Sequence, residues 1–149
     1  MNKRPHVEYI YLQIAGLWSL RSTCSSKIAV GAVLVSPDGR IIASGYNGSP
    51  IGQPHCDDVG CITDELNHCV RAIHAEANAI IQCARHGVSC VGATAYVTHE
   101  PCNNCYNLMI QAGIAKIVYA IPYRGDDVRS GEPILKELYI RKDGDDKIL

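Results

Sequence analysis

The chain has 149 residues, of which 47% are hydrophobic and 19% charged, and this suits one domain with its own core. Its net charge of −1 provides no broad basic surface for nucleic acid, and no apolar run is long enough to span a membrane. The N-terminus leads into no signal-peptide pattern. Eight cysteines in such a chain favour metal ligation and reduced thiols over disulfides. We therefore expect a single cytoplasmic domain over residues 1–149.

The first predicted element is a helix whose apolar residues recur at helical spacing. Its apolar stripe is predicted to face the core and consists of Val7, Ile10, Tyr11, Ile14, Leu17 and Trp18. A polar loop rich in hydroxyls follows over residues 21–27 and contains one cysteine, Cys24.

A β-hairpin is predicted next. Residues 28–35 are β-branched and nearly continuous, as in a strand that is covered on both faces. A turn at 36–39 leads to the second strand, 41–46. The loop that ends this strand, 45–50, contains two glycines, an amide and a hydroxyl. Such a loop can bring backbone N–H groups close to a ligand, although an ordinary surface loop has the same composition.

The segment 51–73 has little periodicity but is rich in soft metal ligands, and a segment of this length needs a reason to be ordered. The ends of the hairpin should lie on the same side of the sheet, which brings Cys24 near Cys56. We therefore expect a second, structural zinc in this region. Its predicted ligands are Cys24, Cys56 and His68, completed by Cys61 or His55, with Cys69 as a core thiol. Free thiols in an ordered loop are the alternative.

Two further predicted helices carry the residues of a catalytic zinc site. His74 and Glu76 lie in the first turn of one helix. Pro101 opens the other, so that Cys102 and Cys105 stand at i and i+3 on one face of its first turn. Zinc binds imidazole nitrogen and thiolate sulfur, and three protein ligands leave a fourth position open for water. A helix N-terminus lowers the thiol pKa, which favours the thiolate that binds metal.

Glu76 is predicted to be a base and not a ligand. Two thiolates neutralise the charge of Zn²⁺, so that the bound water needs help to lose its proton. Residues at i and i+2 on a helix do not face the same way, which argues against Glu76 as a fourth ligand. A closed structural zinc, or two buried cysteines, is the alternative interpretation of the same residues.

The remaining elements predict a β-α-β unit with parallel strands and a right-handed crossover. They are a strand at 93–98, a helix at 102–112 and a strand at 115–121, followed by a loop at 123–127, a short helix at 133–138 and an edge strand at 139–141. The predicted fold class is α/β, with three layers (α/β/α) around a single mixed five-stranded sheet. The metal ligands are expected at the N-termini of two adjacent helices.

The chain resembles the deoxycytidylate (dCMP) deaminases of the cytidine deaminase superfamily over nearly its whole length. The His-x-Glu and Pro-Cys-x-x-Cys motifs are the signature of the superfamily. The Gly-Tyr-Asn-Gly loop and the cysteine-bearing insert are typical of the dCMP branch, whereas Glu100 stands where that branch often has an apolar residue. The matching segments are Val30-Gly31-Ala32, Gly45-Tyr46-Asn47-Gly48-Ser49, His55-Cys56, Gly60-Cys61, His68-Cys69-Val70-Arg71, His74-Ala75-Glu76, Tyr96-Val97-Thr98 and Pro101-Cys102-x-x-Cys105.

This resemblance implies hydrolytic deamination of dCMP to dUMP, with release of ammonia, in pyrimidine deoxynucleotide metabolism. His74, Cys102 and Cys105 would hold the zinc. Glu76 would take a proton from the attacking water, pass it to N3 of cytosine and assist the departure of ammonia. The remaining implied roles are cytosine O2 recognition by the N–H of Ala75, deoxyribose contact by Asn47, and phosphate contacts by Ser25, Ser26, Lys27, Ser49 and Tyr123.

The resemblance also implies a homohexamer that dCTP activates and dTTP inhibits. The effector site would lie in the loops near Asn47, at a subunit interface, and Mg²⁺ would accompany the nucleotide. No nucleic acid or membrane partner is expected.

Three other functions share parts of this pattern. A deaminase of cytidine, deoxycytidine or tRNA adenosine would use the same zinc chemistry, but the near-neutral charge argues against a tRNA partner. A deaminase that edits single strands would need an aromatic or basic groove, and the chain has no Phe and one Trp. A non-catalytic, zinc-stabilised nucleotide-binding module would have no use for Glu76.

Overall fold

The computed structural model describes residues 4–24, 26–122 and 135–137. None of the helices in these ranges has the length and apolarity that a membrane span requires. The helices and strands are α1 (Val7–Ser19), β1 (Gly31–Val35), β2 (Ile41–Tyr46), α2 (Cys56–Val59), α3 (Ala75–His86), β3 (Thr94–His99), α4 (Asn103–Gln111), β4 (Lys116–Ile121) and β5 (Leu135–Glu137).

The strands form one mixed sheet in the order β2-β1-β3-β4-β5. β1 is antiparallel to both β2 and β3, whereas β3, β4 and β5 run parallel. The predicted mixed α/β fold is thus confirmed, as is the parallel pairing around α4. Four strands form the body of the sheet, and the predicted number of five is reached only by counting β5, which has three residues.

The predicted helix at 133–138 is wrong where the structure describes it, because residues Leu135–Glu137 are a strand paired with β4. The open edge of β4 offers backbone hydrogen bonds to an extended segment, and such tertiary pairing overrides local helix propensity. The predicted loop at 123–127 and edge strand at 139–141 lie outside the described residues.

Helices cover both faces of the sheet, as the three-layer prediction requires. Every residue of β1 is buried, since Ala32 and Leu34 face α3 and α4 while Val33 and Val35 face α1. This confirms that β1 is covered on both faces. The strand begins at Gly31, three residues later than predicted.

The predicted core-facing stripe of α1 is largely wrong, although the helix itself is present. Val7, Ile10, Leu17 and Trp18 are exposed, whereas the helix buries Glu8, Leu12, Ala15 and Gly16. The reason is a close approach to β1: a Cβ on Gly31 would lie 1.9 Å from the carbonyl oxygen of Ala15. Small residues therefore decide which face of α1 meets the sheet, and hydrophobic periodicity does not detect them.

Candidate functional site

Two helices begin next to each other on the same side of the sheet, and their first residues converge. His74 is the N-cap of α3 and Cys102 is the N-cap of α4, both in extended conformation. The two helices thus start slightly later than predicted: α3 begins one position after His74, and α4 begins two positions after Pro101, so that His74, Pro101 and Cys102 precede them. Cys105 is still three residues beyond Cys102, and an N-cap side chain faces the third helical residue.

His74, Cys102 and Cys105 meet with a geometry that suits zinc. The Nδ1 atom of His74 lies 3.6 Å from the Sγ of Cys102 and 3.4 Å from the Sγ of Cys105. A tetrahedral zinc with ordinary bond lengths would separate such nitrogen and sulfur atoms by about 3.6 Å. The structure therefore brings the three predicted ligands into a set that fits the ion and leaves a fourth position for water.

The two thiols of this set depend on each other electrostatically. The hydrogen bond from Cys105, aided by His74, lowers the pKa of Cys102 to about 3. Conversely, the Cys102 thiolate, followed by burial, raises the pKa of Cys105. The protein alone therefore favours one thiolate and one thiol, and a bound cation is what allows both sulfurs to be thiolates.

Glu76 borders this set without belonging to it. Its side chain is 5% exposed and contacts the Cys105 thiol, but its oxygens lie outside the group of three convergent ligand atoms. Burial raises the pKa of Glu76, and the nearby His74 opposes part of this effect. A carboxyl group with a raised pKa can both accept and return a proton near neutral pH.

The first turn of α3 is held against the end of β2. A Cβ on Gly45 would lie 2.3 Å from the carbonyl oxygen of Ala75 and 2.7 Å from the backbone nitrogen of Ala79. Asn78 strengthens the contact, since its Nδ2 donates to the carbonyl oxygen of Tyr46 at 2.9 Å. The sequence does not predict this pair of positioning residues, because its glycine pattern indicates Gly45 only as part of a ligand loop.

Asn47, the predicted deoxyribose contact, is buried, and its side-chain amide is hydrogen-bonded to the backbone before β1. Its Oδ1 accepts from the N–H of Val30 at 2.8 Å, and its Nδ2 donates to the carbonyl oxygen of Ile28 at 2.9 Å. The Asn47 side chain thus anchors the residues just before β1, and the N–H of Asn47 adds a bond of 3.2 Å to the carbonyl oxygen of Val30. One Nδ2 hydrogen and one Oδ1 lone pair remain for a ligand.

The other predicted substrate contacts are placed unevenly. The Nζ of Lys27 donates to the carbonyl oxygen and Oδ1 of Asn67, both at 3.2 Å, and Ser26 Oγ lies 3.5 Å from the Cys61 sulfur. Ser49 has a buried Oγ with no hydrogen-bond partner among the described residues. Ala75, whose N–H is the predicted cytosine contact, is the first residue of α3. Ser25 and Tyr123 lie outside the described residues.

A second convergence of ligand atoms involves four thiols. The sulfurs of Cys24, Cys56, Cys61 and Cys69 all lie within 4.8 Å of one another. Three of these cysteines were predicted to share a metal site, but the fourth member is Cys69, which was predicted to be a core thiol.

His68, predicted as a ligand, is not in this cluster. His68 instead closes a turn with Asp64. The N–H of His68 donates to Asp64 Oδ1 at 2.8 Å, and the N–H of Asp64 donates to the carbonyl oxygen of His68 at 3.0 Å. The His68 ring then lies 3.4 Å from the Asp64 carboxylate. His55, the predicted alternative ligand, is the exposed N-cap of α2 and is also outside the cluster.

The turn from Asp64 to His68 has a signal in the sequence. Asp64 is followed three residues later by Asn67, which adopts a positive φ of 62°. Asp and Asn favour such turns because their side chains form hydrogen bonds with nearby backbone groups.

Across the described residues, the groups of three or more convergent ligands are this thiol cluster and the set of His74, Cys102 and Cys105. Neither consists of oxygens, which Mg²⁺ prefers, so the predicted magnesium ion gains no support.

The chain matches the family model for the cytidine and deoxycytidylate deaminase zinc-binding region over residues 7–121. It is 52% identical over 108 residues to ComE operon protein 2 of Bacillus subtilis (strain 168), covering 72% of this chain but only 56% of that protein. It is 39% identical over 127 residues to the deoxycytidylate deaminase of Mycobacterium phage D29, covering 78% and 95% of the two chains.

Among solved structures, the chain is similar to the dCMP deaminase of cyanophage S-TIM5 in complex with dCMP and dUMP. The TM-score is 0.69 at 33% identity, and the match covers 83% of this chain and 87% of the other.

Proposed function

This chain belongs to the family of cytidine and deoxycytidylate deaminases, and from that premise we propose that it hydrolyses dCMP to dUMP and ammonia. The observation that carries the proposal is the buried Glu76 carboxyl beside the convergent His74, Cys102 and Cys105 side chains. The named phage relative and the S-TIM5 complex support dCMP as the substrate. A module that only bound nucleotide would gain nothing from a buried carboxyl at this position.

Each side chain has a separate part in the proposed reaction. His74, Cys102 and Cys105 would hold zinc, which supplies an open coordination position and polarises water there. Glu76 removes a proton from the attacking water and passes it to N3 of cytosine, which makes C4 more electrophilic. The same carboxyl then assists the departure of ammonia from C4. The raised pKa of Glu76, caused by burial, suits a group that must give the proton back.

Substrate recognition would use the loops beside the metal set. The N–H of Ala75, at the start of α3, is suited to donate a hydrogen bond to the cytosine O2. The Nδ2 hydrogen of Asn47 that is not already bonded would contact the deoxyribose. Ser49 lies on the same loop, and its Oγ, which has no partner among the described residues, would also contact the nucleotide. Lys27 would reach the phosphate only by giving up Asn67, which makes it the weakest of the predicted contacts.

We extend the proposal to assembly and location. The exposed apolar face of α1, which includes Leu17 and Trp18, supports an oligomer such as the predicted hexamer. The eight cysteines are all free, which supports the reducing cytoplasm as the site of action. Activation by dCTP and inhibition by dTTP rest on the family resemblance alone.

We expect dCMP to be a far better substrate than deoxycytidine. A site that pairs buried polar groups with a phosphate leaves them unpaired when the phosphate is missing, and kcat/KM should fall by about 100-fold or more. Ammonia release from dCMP, CMP, deoxycytidine and cytosine, measured side by side, checks this. Equal kcat/KM for dCMP and deoxycytidine would assign the chain to the nucleoside deaminases instead.

Gly45→Ala is expected to impair catalysis through the position of α3. The added methyl group collides with the backbone of Ala75 and Ala79, so the first turn of α3, with Glu76, must move away from β2. A displacement of about 1 Å in an active site can cost about 100-fold in rate. Turnover of dCMP and thermal unfolding of the purified variant should be measured together.

Gly31→Ala is the matched control for this prediction. Its methyl group collides with Ala15 of α1, which packs on the face of the sheet opposite to α3. Both variants should lose about 1–3 kcal/mol of stability, but only Gly45→Ala should lose activity of the folded protein. Equal activity losses in the two variants would show that Gly45 acts through general stability.

A further inference from the structure

We propose that Cys24, Cys56, Cys61 and Cys69 bind a second zinc ion in a closed tetrathiolate site that has no catalytic role. The sulfur atoms of Cys24 and Cys61 lie 3.4 Å apart, and those of Cys56 and Cys69 lie 3.5 Å apart. A tetrahedral zinc with four thiolates would separate its sulfurs by about 3.8 Å. Disulfide sulfurs would lie about 2.05 Å apart, and all four cysteines are free.

The segment 51–73 has almost no hydrophobic core of its own. Among these 23 positions, all of which the structure describes, Cys56 is the only buried residue. Five of its six large apolar side chains are exposed, namely Ile51, Val59, Ile62, Leu66 and Val70, and the sixth, Ile73, is half-buried. Since α2 has four residues, local helix formation contributes little. A metal whose binding free energy is coupled to folding would stabilise such a segment.

The surroundings of the cluster suit sulfurs that carry negative charge. The backbone N–H groups of Arg71 and Ala72 donate to the Cys69 sulfur, as outer-shell donors do in metal sites. Ser26 Oγ lies 3.5 Å from the Cys61 sulfur. The Arg71 side chain donates to the carbonyl oxygen of Gly60, which brings a cation next to the segment that holds Cys61.

All four coordination positions would be filled by protein, which excludes water and hence catalysis at this ion. A tetrahedral set of four thiolates selects zinc or iron. The four cysteines come from three places in the chain, namely the loop before β1, the α2 region and the turn after it. The ion would therefore tie the insert to the start of the sheet.

The cluster is also linked to the His74 set through hydrogen bonds of the loops that adjoin both. Thr23 is next to Cys24, and its N–H donates to the carbonyl oxygen of Asn47 at 3.2 Å. The Oγ1 of Thr23 accepts a hydrogen bond of 3.1 Å from the N–H of Ser49. At the other end of the insert, Ile73 and Gly48 exchange two backbone bonds of 2.8 and 3.1 Å. Ile73 immediately precedes His74. Loss of the second ion should therefore loosen both the ligand loop and the approach to the catalytic set.

The first test is the metal content of the purified full chain. We expect two zinc ions per chain by elemental analysis, together with four thiols that resist a thiol reagent until a chelator is added. One zinc per chain, four additional thiols that react at once, or iron in place of the second zinc would each overturn the proposal.

The second test uses Cys69→Ser and Cys61→Ser, which should each reduce the zinc content from two to one per chain. Both should make residues 51–73 sensitive to limited proteolysis. Cys61 and Cys69 are only half-buried, which favours variants that still fold. The matched controls are His68→Asn, at the ligand predicted from sequence, and Cys83→Ser, a buried thiol outside both sets; each should keep two zinc ions.

These outcomes do not depend on the proposed deaminase activity. If the protein bound two zinc ions but did not turn over dCMP, only the proposed function would fail. If it turned over dCMP with one zinc per chain, or if Cys61→Ser and Cys69→Ser kept two, only the second site would fail.

Discussion

Glu76→Gln is expected to eliminate nearly all deamination of dCMP while the fold and the zinc content stay unchanged. Glutamine matches glutamate in size but cannot carry a proton, and Glu76 is proposed to carry one in each step. General acid–base catalysis contributes about 10²–10⁴-fold, and a single group that serves several transfers should lie at the upper end of that range. Steady-state ammonia release and metal analysis of the same preparation check the prediction.

Glu8→Gln is the matched control, because Glu8 is the other buried carboxyl group in the described part of the chain. It pairs with Lys116, where α1 meets β4, and takes no part in the metal set. This variant should lose stability but keep turnover of its folded fraction within a few-fold. Substantial deamination by Glu76→Gln would refute the assignment of Glu76 as the proton carrier.

Glu76→Gln should also change how the stability of the metal-free protein depends on pH. Because burial raises the pKa of Glu76, its native state binds a proton more tightly than its unfolded state. The carboxyl therefore stabilises the fold at low pH, and this contribution is lost as pH rises through the native pKa. At neutral pH the variant should melt at a higher temperature than the wild type. The difference should vanish below about pH 4, where the wild-type carboxyl is protonated in both states.

Cys105→Ala is expected to remove the catalytic zinc and with it all measurable turnover. It leaves His74 and Cys102, and two ligands hold zinc far less tightly than three. The zinc content should fall by one ion per chain, and turnover should drop by at least as much as in Glu76→Gln. Elemental analysis and ammonia release, each with and without added zinc, measure the effect.

Cys83→Ala controls for the loss of a buried thiol. Cys83 lies on α3, is as buried as Cys105 and belongs to neither ligand set. This variant should lose some stability through the cavity it creates but keep its zinc and its turnover. If Cys105→Ala recovered full activity with excess zinc, Cys105 would not be a necessary ligand.

The convergence of His74, Cys102 and Cys105 with Glu76 beside them was predictable because the spacing within each pair is local. Cys102 and Cys105 are three residues apart at a helix start, and this relation holds whether the helix begins at Pro101, as predicted, or at Asn103, as observed. His74 and Glu76 are related in the same way at the start of α3. A shift of the helix boundary by one or two residues leaves such pairs together, since N-cap and first-turn side chains share one end of the helix.

The composition of the thiol cluster could not be predicted in the same way. His68 and Cys69 are neighbours in sequence, and either side chain could have faced Cys24 and Cys56. The turn from Asp64 decided between them, because its hydrogen bonds use the backbone of His68 and its carboxylate attracts the His68 ring. Loop conformation depends on such specific contacts and not on a repeating pattern.

The sequence by itself determined the mixed α/β fold, the two pairs of residues at the helix starts and the wealth of soft ligands around residues 51–73. These features rest on periodicity, residue chemistry and short spacings, all of which survive small errors in boundaries. Only the tertiary structure decided which face of α1 packs, where Gly45 holds α3, and that Cys69 and not His68 joins the cluster. Each of these depends on a close approach between segments distant in sequence, at a glycine or within a turn. Local patterns carry no information about contacts of that kind.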